Sequence, residues 1–250
     1  MPEVLGHVLA LDGLEWLILG TFVAGVVRGF TGFGTALVYL PIAGMFLPPI
    51  WALIVLVVMD VLGPLPTMPR AWRDGQPLAV SKMWLGMVLA LPLGLMVLYA
   101  VRPEVFRYAV CIGSLLVPFL LSSGLRFHRE PGTKMLFGTG VASGFLGGVA
   151  GVPGPPVILL YLASSRPTQV IRANISMYLV AFDLTLMVMF TLQDRMELTP
   201  VILGLCLVVP NMLGNLAGTA MFRPERQRIY RIVGYSVTIA AALAGLPLWD

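Results

Sequence analysis

The chain has 250 residues, of which 58% are hydrophobic and only 11% charged, and its mean hydropathy is +0.91. A soluble domain carries about a quarter charged residues, so this composition excludes a soluble enzyme, a nucleic-acid-binding protein and a disordered chain. The net charge of +4 comes from basic residues clustered between apolar runs, which is typical of a polytopic membrane protein. The lipid bilayer is therefore an expected partner, and nucleic acid is not.

Ten apolar runs are predicted as membrane-inserted helices. In chain order they cover 14–28, 35–47, 50–66, 83–100, 105–122, 135–147, 154–165, 170–192, 199–220 and 228–247. Residues 1–15 carry Glu3, Asp12 and Glu15 but neither Lys nor Arg, so we expect no cleavable signal peptide. Cys111 and Cys206 both lie inside apolar runs, and no disulfide framework is expected.

The basic residues predict which junctions face the cytoplasm. Under the positive-inside rule, short cytoplasmic loops are the ones enriched in Lys and Arg. Twelve residues are assigned to the inside in this way: Arg70, Arg73, Lys82, Arg126, Arg129, Lys134, Arg166, Arg172, Arg223, Arg226, Arg228 and Arg231. Arg102, Arg107 and Arg195 remain outside, together with both chain termini.

This assignment predicts two re-entrant hairpins. Lys134 and Arg166 are both inside, so the segment between them must enter and leave on one side. Its arms, 135–147 and 154–165, are each about 20 Å long at 1.5 Å per residue, against a hydrocarbon core of about 30 Å. The same reasoning predicts a hairpin over 14–47 from the outside, broken at residues 29–34. The alternative is a pair of short crossings in a thinned bilayer.

The two halves of the chain match each other in four places. The matched residues are Gly25, Gly29 and Gly32 with Gly144, Gly148 and Gly151; Leu85, Gly86, Leu89 and Pro92 with Leu203, Gly204, Leu207 and Pro210; Arg102, Pro103 and Glu104 with Arg223, Pro224 and Glu225; and Asp60 with Asp183. We therefore expect an all-α polytopic membrane protein of two inverted-topology repeats, each a broken or re-entrant hairpin plus three transmembrane helices. The first repeat covers 1–122, a cytoplasmic linker 123–134, and the second repeat 135–250. Such repeats are typical of secondary transporters, whose site lies near the membrane midplane.

The duplicated glycine motif also resembles a known family. Gly25-x-x-x-Gly29-x-x-Gly32-Phe33-Gly34 leading to Pro41, with its second copy over 144–156, is similar to the motif of the sulfite exporter TauE/SafE family, also called toluene-sulfonate uptake permeases. The resemblance covers nearly the whole chain. It implies a secondary transporter of sulfite, sulfonates or related small sulfur-containing or organic anions in the bacterial inner membrane. Thiosulfate or a carboxylate is an alternative substrate.

The helix breaks themselves predict an anion site. Helices that begin near Thr35 and Gly154 would direct free backbone N–H groups and positive dipole ends at the midplane, and glycine lets a ligand approach the backbone closely. The candidate binding residues are Arg28, Gly29, Thr31, Gly32, Gly34, Thr35, Gly148, Gly151, Gly154, Arg172, Asn174 and Asn211. The alternative role of the glycines is close helix packing. The alternative for Arg172 is that its side chain extends to the membrane surface.

Three ionisable residues lie deep in the apolar runs. Arg28 is the single basic residue within a hairpin, where it could grip an oxyanion bidentately or pair with Asp60. Asp60 and Asp183 are the acids at membrane depth. Either could carry a proton coupled to anion movement, or could pair with a nearby Arg and stabilise the helix.

Other functional classes find little support in the sequence. No nucleophile elbow or His-Glu-x-x-His motif is present and there are only two histidines, so we expect neither an enzyme nor a metal site nor a cofactor. A membrane assembly factor is the remaining alternative from a different class. Assembly as a homodimer is left open.

Overall fold

The computed structural model describes residues 2–63, 68–122, 131–162, 164, 166–221 and 227–248, and within them the chain is all-helical. The helices in chain order are α1 Pro2–Leu9, α2 Leu14–Thr31, α3 Thr35–Phe46, α4 Pro49–Leu62, α5 Met68–Asp74, α6 Pro77–Ala100, α7 Pro103–Ser122, α8 Thr133–Ala150, α9 Gly154–Leu162, α10 Thr168–Leu192, α11 Leu198–Met221 and α12 Gln227–Gly245.

Five of the described helices are long and apolar enough to cross a membrane. They are 14–31, 77–100, 103–120, 169–192 and 198–221. Shorter apolar helices at Thr35–Phe46, Pro49–Leu62 and Ile232–Gly245 accompany them. The described chain is thus all-helical, as expected for a polytopic membrane protein. A helix suits the bilayer because it satisfies its backbone hydrogen bonds within one segment.

Several sequence predictions about the helices are wrong in detail. The first arm of the second hairpin is α8, which has 18 residues rather than the 13 of 135–147, and α2 also has 18. Each is about 27 Å long at 1.5 Å per residue, so the prediction of short arms is wrong for these two first arms. The second arms, α3 with 12 residues and α9 with 9, are short as predicted. Gly29 and Gly148 lie inside α2 and α8 and not at the breaks, because helix–helix packing tolerates glycine there.

Two short helices, α1 and α5, were not predicted at all. Asp60 was placed at the middle of a run over 50–66, whereas α4 ends at Leu62 and Asp60 lies in its last turn. Residues 64–66 of that run lie outside the described residues, as do 123–130 of the linker and Arg223 and Arg226.

α2 with α3, and α8 with α9, form two hairpins. A Cβ on Gly13 would overlap the Phe46 ring, so the start of α2 lies beside the end of α3. Gly132 and Thr133 line the same cavity as Arg166, so the start of α8 lies beside the end of α9. In each hairpin the chain therefore enters and leaves at one end.

The two hairpins open at opposite ends of the molecule. Thr133 at the start of α8 accepts a hydrogen bond from Lys82 near the start of α6, at 3.0 Å. Gly44 near the end of α3 contacts Arg107 near the start of α7, which follows the end of α6. The two breaks meet between these ends, because residues of both line one cavity. The equivalence of the two halves as an inverted repeat stays a prediction.

Small residues hold each hairpin against a long helix of the other half. α2 packs along α11 and α8 packs along α6. A Cβ on Gly29 would lie 2.6 Å from the backbone oxygen of Asn215, and one on Gly148 would lie 2.7 Å from that of Leu91. Without side chains at these positions, the helix backbones approach to contact distance, as in other membrane helix pairs.

The hairpin geometry predicts where thiol reagents reach the protein. In a background without the native cysteines, Asp12→Cys and Pro48→Cys should both be labelled from one face of a sealed vesicle, and Gly132→Cys from the opposite face. The measurement is modification by a membrane-impermeant maleimide added to one side. Labelling of Asp12→Cys and Pro48→Cys from different faces would replace the first hairpin with a true crossing.

Candidate functional site where the two helix breaks meet

At both hairpin breaks the backbone adopts the left-handed conformation that favours glycine. Gly32 and Gly34 have φ angles of +83° and +109°, and Gly151 has +66°. The N–H of Gly32 donates to the Arg28 carbonyl oxygen at 2.7 Å, and that of Gly151 donates to Gly147 at 2.8 Å. Gly32 and Gly151 therefore end α2 and α8, and Gly34 precedes the start of α3, because residues with a Cβ rarely adopt this conformation.

Side chains stabilise both breaks from within. The Thr31 hydroxyl donates to the Val27 carbonyl oxygen at 2.9 Å and also contacts the carbonyl oxygen of Phe33. The Ser143 hydroxyl, which is buried, donates to the Pro153 carbonyl oxygen. Thr31 was a candidate ligand but is occupied in shaping the turn. Ser143 was missed, although a hydroxyl on the glycine face of α8 was a signal that could have found it.

A small cavity lies between the two breaks, and we call it the central cavity. Its volume is about 30 Å³, which accommodates one or two waters. Residues 33–37 line one side and 151–154 the other. Because neither break alone encloses this space, the site exists only when both hairpins are in place.

Four polar side chains converge on the central cavity. Arg28 of α2, Thr35 of α3, Asp60 of α4 and Asp183 of α10 all line it, and each is less than a tenth exposed. They come from four helices: α2 and α3 are consecutive, whereas α4 and above all α10 lie further along the chain. Burial of three ionisable groups at membrane depth is costly, which makes this cavity the candidate functional site.

Arg28 is held by two of these groups. Its Nη1 donates to Asp60 Oδ1 at 2.6 Å and to Thr35 Oγ1 at 3.0 Å. This ion pair is the alternative that the sequence left open beside ligand contact. The two roles are compatible, since a guanidinium has five N–H donors in a planar fork and only one nitrogen is engaged by these bonds.

Asp183 lies in the same cavity with a different environment. No described residue donates a hydrogen bond to its carboxylate, and the charges that act on it are those of Asp60 and Arg28. The central cavity thus holds one cation and two potential anions. With both carboxylates ionised the cluster carries a net charge of −1, which repels an incoming anion.

The two helix N-termini at the cavity differ in their capacity to bind an anion. α3 begins at Thr35, follows the left-handed Gly34 and has no side-chain cap. The N–H groups of its first turn have no partner within the helix and point along the positive end of its dipole. α9 begins Gly154-Pro155-Pro156, and proline has no N–H to donate. The backbone donors at this cavity therefore come chiefly from α3.

The structure brings about half of the candidate ligands to the cavity. Gly34, Gly151 and Gly154 line it with Arg28 and Thr35. Gly29 and Gly148 lie instead in helix–helix contacts. Asn174 accepts a hydrogen bond from the backbone N–H of Gln76 at 2.6 Å, away from the central cavity.

Arg172 and Asn211 lie just outside the central cavity. A Cβ on Gly32 would lie 2.9 Å from Arg172 Nε, so this guanidinium contacts the first break. The Asn211 side chain is buried and both its amide atoms lack a hydrogen-bond partner, while Gly63 at the end of α4 lies close to its Oδ1. Among the described residues there is also no group of three or more His, Cys, Asp or Glu that could hold a metal ion.

Comparison with known proteins gives one match. The family model described as "Sulfite exporter TauE/SafE" matches residues 17–244. That range contains both hairpins, except for the first three residues of α2, and all four side chains of the central cavity. No curated protein and no solved structure matches the chain.

Proposed function

The chain belongs to the sulfite exporter TauE/SafE family, and from this premise we propose that it is a secondary transporter of sulfite, organosulfonates or related small anions. Its apolar helices and family membership make it a multi-pass membrane transporter. We place it in the bacterial inner membrane with both termini outside. The hairpins that open at opposite ends support the inverted repeat on which this topology depends.

The observation that carries the proposal is the position of Arg28. The Arg28 guanidinium lines the cavity between the two helix breaks, beside the N-terminus of α3, with its Nη1 3.0 Å from Thr35 Oγ1. Oxyanions are bound well by a guanidinium and by the free N–H groups of a helix N-terminus acting together. In the proposed site Arg28 and the first turn of α3 hold the anion oxygens, and Gly34 admits them to the backbone.

The present cavity is a closed state of this site. A volume of about 30 Å³ is too small for sulfite or a sulfonate, so the hairpins must part before an anion enters. The anion then competes with the Asp60 carboxylate for the Arg28 guanidinium. We propose that this exchange couples binding to the opening of one hairpin.

The charges of the central cavity favour protonation of Asp183 when an anion binds. With Arg28 paired to Asp60 at 2.6 Å, an ionised Asp183 would meet the anion in a low-dielectric cavity where like charges repel strongly. Anion binding therefore favours neutral Asp183, and a proton moves with the anion. Asp60 serves as the exchangeable partner of Arg28.

The test of the proposed function is saturable sulfite flux through the purified protein in proteoliposomes. We expect flux that an organosulfonate inhibits and that acetate inhibits weakly. Inhibition by thiosulfate or a carboxylate alone would move the substrate to that anion. Absence of flux for every anion would favour the alternative from another class, a membrane assembly factor.

The charge argument predicts the pH dependence of transport. Sulfonate flux should fall as pH rises, because fewer molecules have neutral Asp183, and Asp183→Asn should remove this dependence. A sulfonate is the right probe, since it stays ionised across the range and any pH effect belongs to the protein. The measurement is the initial rate of labelled methanesulfonate uptake at a series of symmetric pH values.

A matched control for this experiment is Asp194→Asn in the exposed turn after α10. Asp194 has φ +51°, a conformation that Asn tolerates well, so this variant removes a carboxylate without backbone strain. It should keep the pH dependence of the unmodified protein. An unchanged profile in Asp183→Asn would remove Asp183 from proton coupling.

A further inference from the structure

A second and much larger cavity lies at the end of the molecule where the second hairpin opens. We call it the basic cavity. Its volume is about 460 Å³, and its polar lining side chains are Gln76, Lys82, Thr133 and Arg166. Two of these are cations, and none of the lining residues that the structure describes is acidic. It differs from the central cavity, in which the one cation is already matched by two acids.

The wall of the basic cavity contains buried hydrogen-bond donors without an acceptor. Arg166 lines the cavity, and its Nε and Nη1 are shielded from solvent and make no hydrogen bond. Tyr161 and Asn174 lie beside Arg166, with the Tyr161 hydroxyl within reach of both neighbours, but they do not line the cavity. Buried donors without acceptors, such as these two Arg166 nitrogens, call for an unseen water or anion.

We propose that the basic cavity is a binding site for a small oxyanion, of the sulfite or sulfonate class, on its way to or from the central cavity. Lys82 and Arg166 supply the positive potential, and Arg166 Nε and Nη1 supply hydrogen bonds. The ligand class and the place in transport rest on the proposed function. Anion binding itself rests on the cavity, its charge and the unpartnered donors.

The path between the two cavities is short and basic. α9 begins at Gly154 in the central cavity and reaches Tyr161 about 10 Å further on, at 1.5 Å per residue. Along α10, Arg172 lies between the corner at Arg166 and Asp183, and it contacts the first break at Gly32. An anion leaving the basic cavity would therefore pass Arg172 before it meets Arg28.

The phosphate of an anionic lipid has the same oxyanion chemistry. The basic cavity lies at the end of the bundle where a bilayer surface is expected, so a headgroup is a second source of ligand. We assign the site to the soluble anion, because Arg166 Nε and Nη1 are shielded from solvent and not displayed at the surface where a headgroup would lie. The experiment separates the two sources.

The test uses a cysteine placed in the basic cavity. A Cβ on Gly132 meets no atom within 4 Å, so Gly132→Cys fits, in a background where Cys111 and Cys206 are replaced. The protein is reconstituted in phosphatidylcholine nanodiscs and treated with an anionic sulfonatoethyl or a cationic trimethylammonium methanethiosulfonate. The readout is the ratio of the anionic to the cationic reaction rate at Gly132→Cys, divided by the same ratio for a free thiol in solution. We expect a value of about ten, because an electrostatically focused cleft concentrates ions of the opposite sign.

Charge removal and competition then identify the site. The preference for the anionic reagent should disappear in the double variant Lys82→Gln with Arg166→Gln. In Lys82→Gln alone it should fall partway. The single variant keeps the Arg166 guanidinium and so controls for a folding defect in the double variant. Arg70→Gln on α5, outside the cavity, is the matched control and should keep the preference. Methanesulfonate should slow the reaction of Gly132→Cys at saturating concentration.

The outcomes are decisive in each direction. Equal corrected rates for the two reagents, or a preference that survives loss of both cations, would overturn the site. Protection by phosphatidylglycerol in the nanodisc but not by methanesulfonate would assign the cavity to a lipid headgroup and overturn the soluble anion. Because the assay needs no flux, its result stands apart from that of the transport experiment.

Discussion

Arg28→Gln is expected to lower the rate of sulfite or sulfonate flux about 100-fold. Arg28 is the cation of the central cavity, and a hydrogen bond to a charged group contributes about 1.5–3 kcal/mol. Loss of two such bonds to the anion costs at least 3 kcal/mol, and each 1.4 kcal/mol is tenfold in rate. The measurement is the initial rate of uptake in proteoliposomes at equal protein density.

The buried ion pair complicates this variant and also provides its control. Removing Arg28 leaves the Asp60 carboxylate, 2.6 Å away in the ion pair, buried without a cation, and breaking such a pair destabilises a protein by about 3–5 kcal/mol. The double variant Arg28→Gln with Asp60→Asn removes both charges and should recover most of that stability. If the double variant is stable and still inactive, the guanidinium is required for transport itself.

Two results would contradict this role. Undiminished flux in Arg28→Gln would remove Arg28 from the binding site. Full flux in the double variant would show that Arg28 serves only to neutralise Asp60. Arg28→Lys is informative as well, because Lys keeps the charge but not the planar fork; we expect it to retain only a small part of the flux.

Gly140→Ala is expected to lower the stability of the protein by separating α6 from α8. A Cβ at this position would overlap the carbonyl group of Met83, with the carbonyl carbon 2.7 Å and the Cα 2.9 Å away. These are backbone atoms of α6, so no side-chain rotation relieves the overlap and α6 and α8 must separate. Overpacking of this kind costs about 1–3 kcal/mol, and more where backbone must move.

The same helix supplies a matched control two residues away. A Cβ on Gly138 meets no atom within 4 Å, and Ala is a better helix former than Gly by about 1 kcal/mol. In detergent, the apparent melting temperature should therefore fall sharply in Gly140→Ala and stay level or rise in Gly138→Ala. Equal behaviour of the two variants would show that α6 and α8 are not packed as the structure has them.

The sequence by itself determined the class of the protein and the positions of most helices. Long apolar runs between basic clusters identify membrane helices without knowledge of any contact, because insertion depends on local hydropathy. The runs at 105–122, 170–192 and 199–220 agree with α7, α10 and α11 within two residues at either end. The glycine motif near Gly32 likewise indicated the family, which the family model confirms.

The sequence also indicated part of the candidate site. Burying Arg28, Asp60 or Asp183 at membrane depth costs so much free energy that each of these residues indicated a functional site on its own. The sequence did not reveal which of them meet, since Arg28 and Asp60 are 32 residues apart and Asp183 lies on another helix. It also did not separate glycines that break a helix from glycines that let two helices touch.

Only the tertiary structure decided these matters. Gly29 and Gly32 belong to one motif, yet Gly29 lies within α2 against α11, whereas Gly32 ends α2 with φ +83°. Their local sequences are alike, and the difference arises from which helix packs against each. In a bilayer an apolar helix face packs as well against lipid as against another helix, so close packing and hydrogen bonding between distant segments determine the helix contacts. Hydropathy along the chain therefore does not predict those contacts.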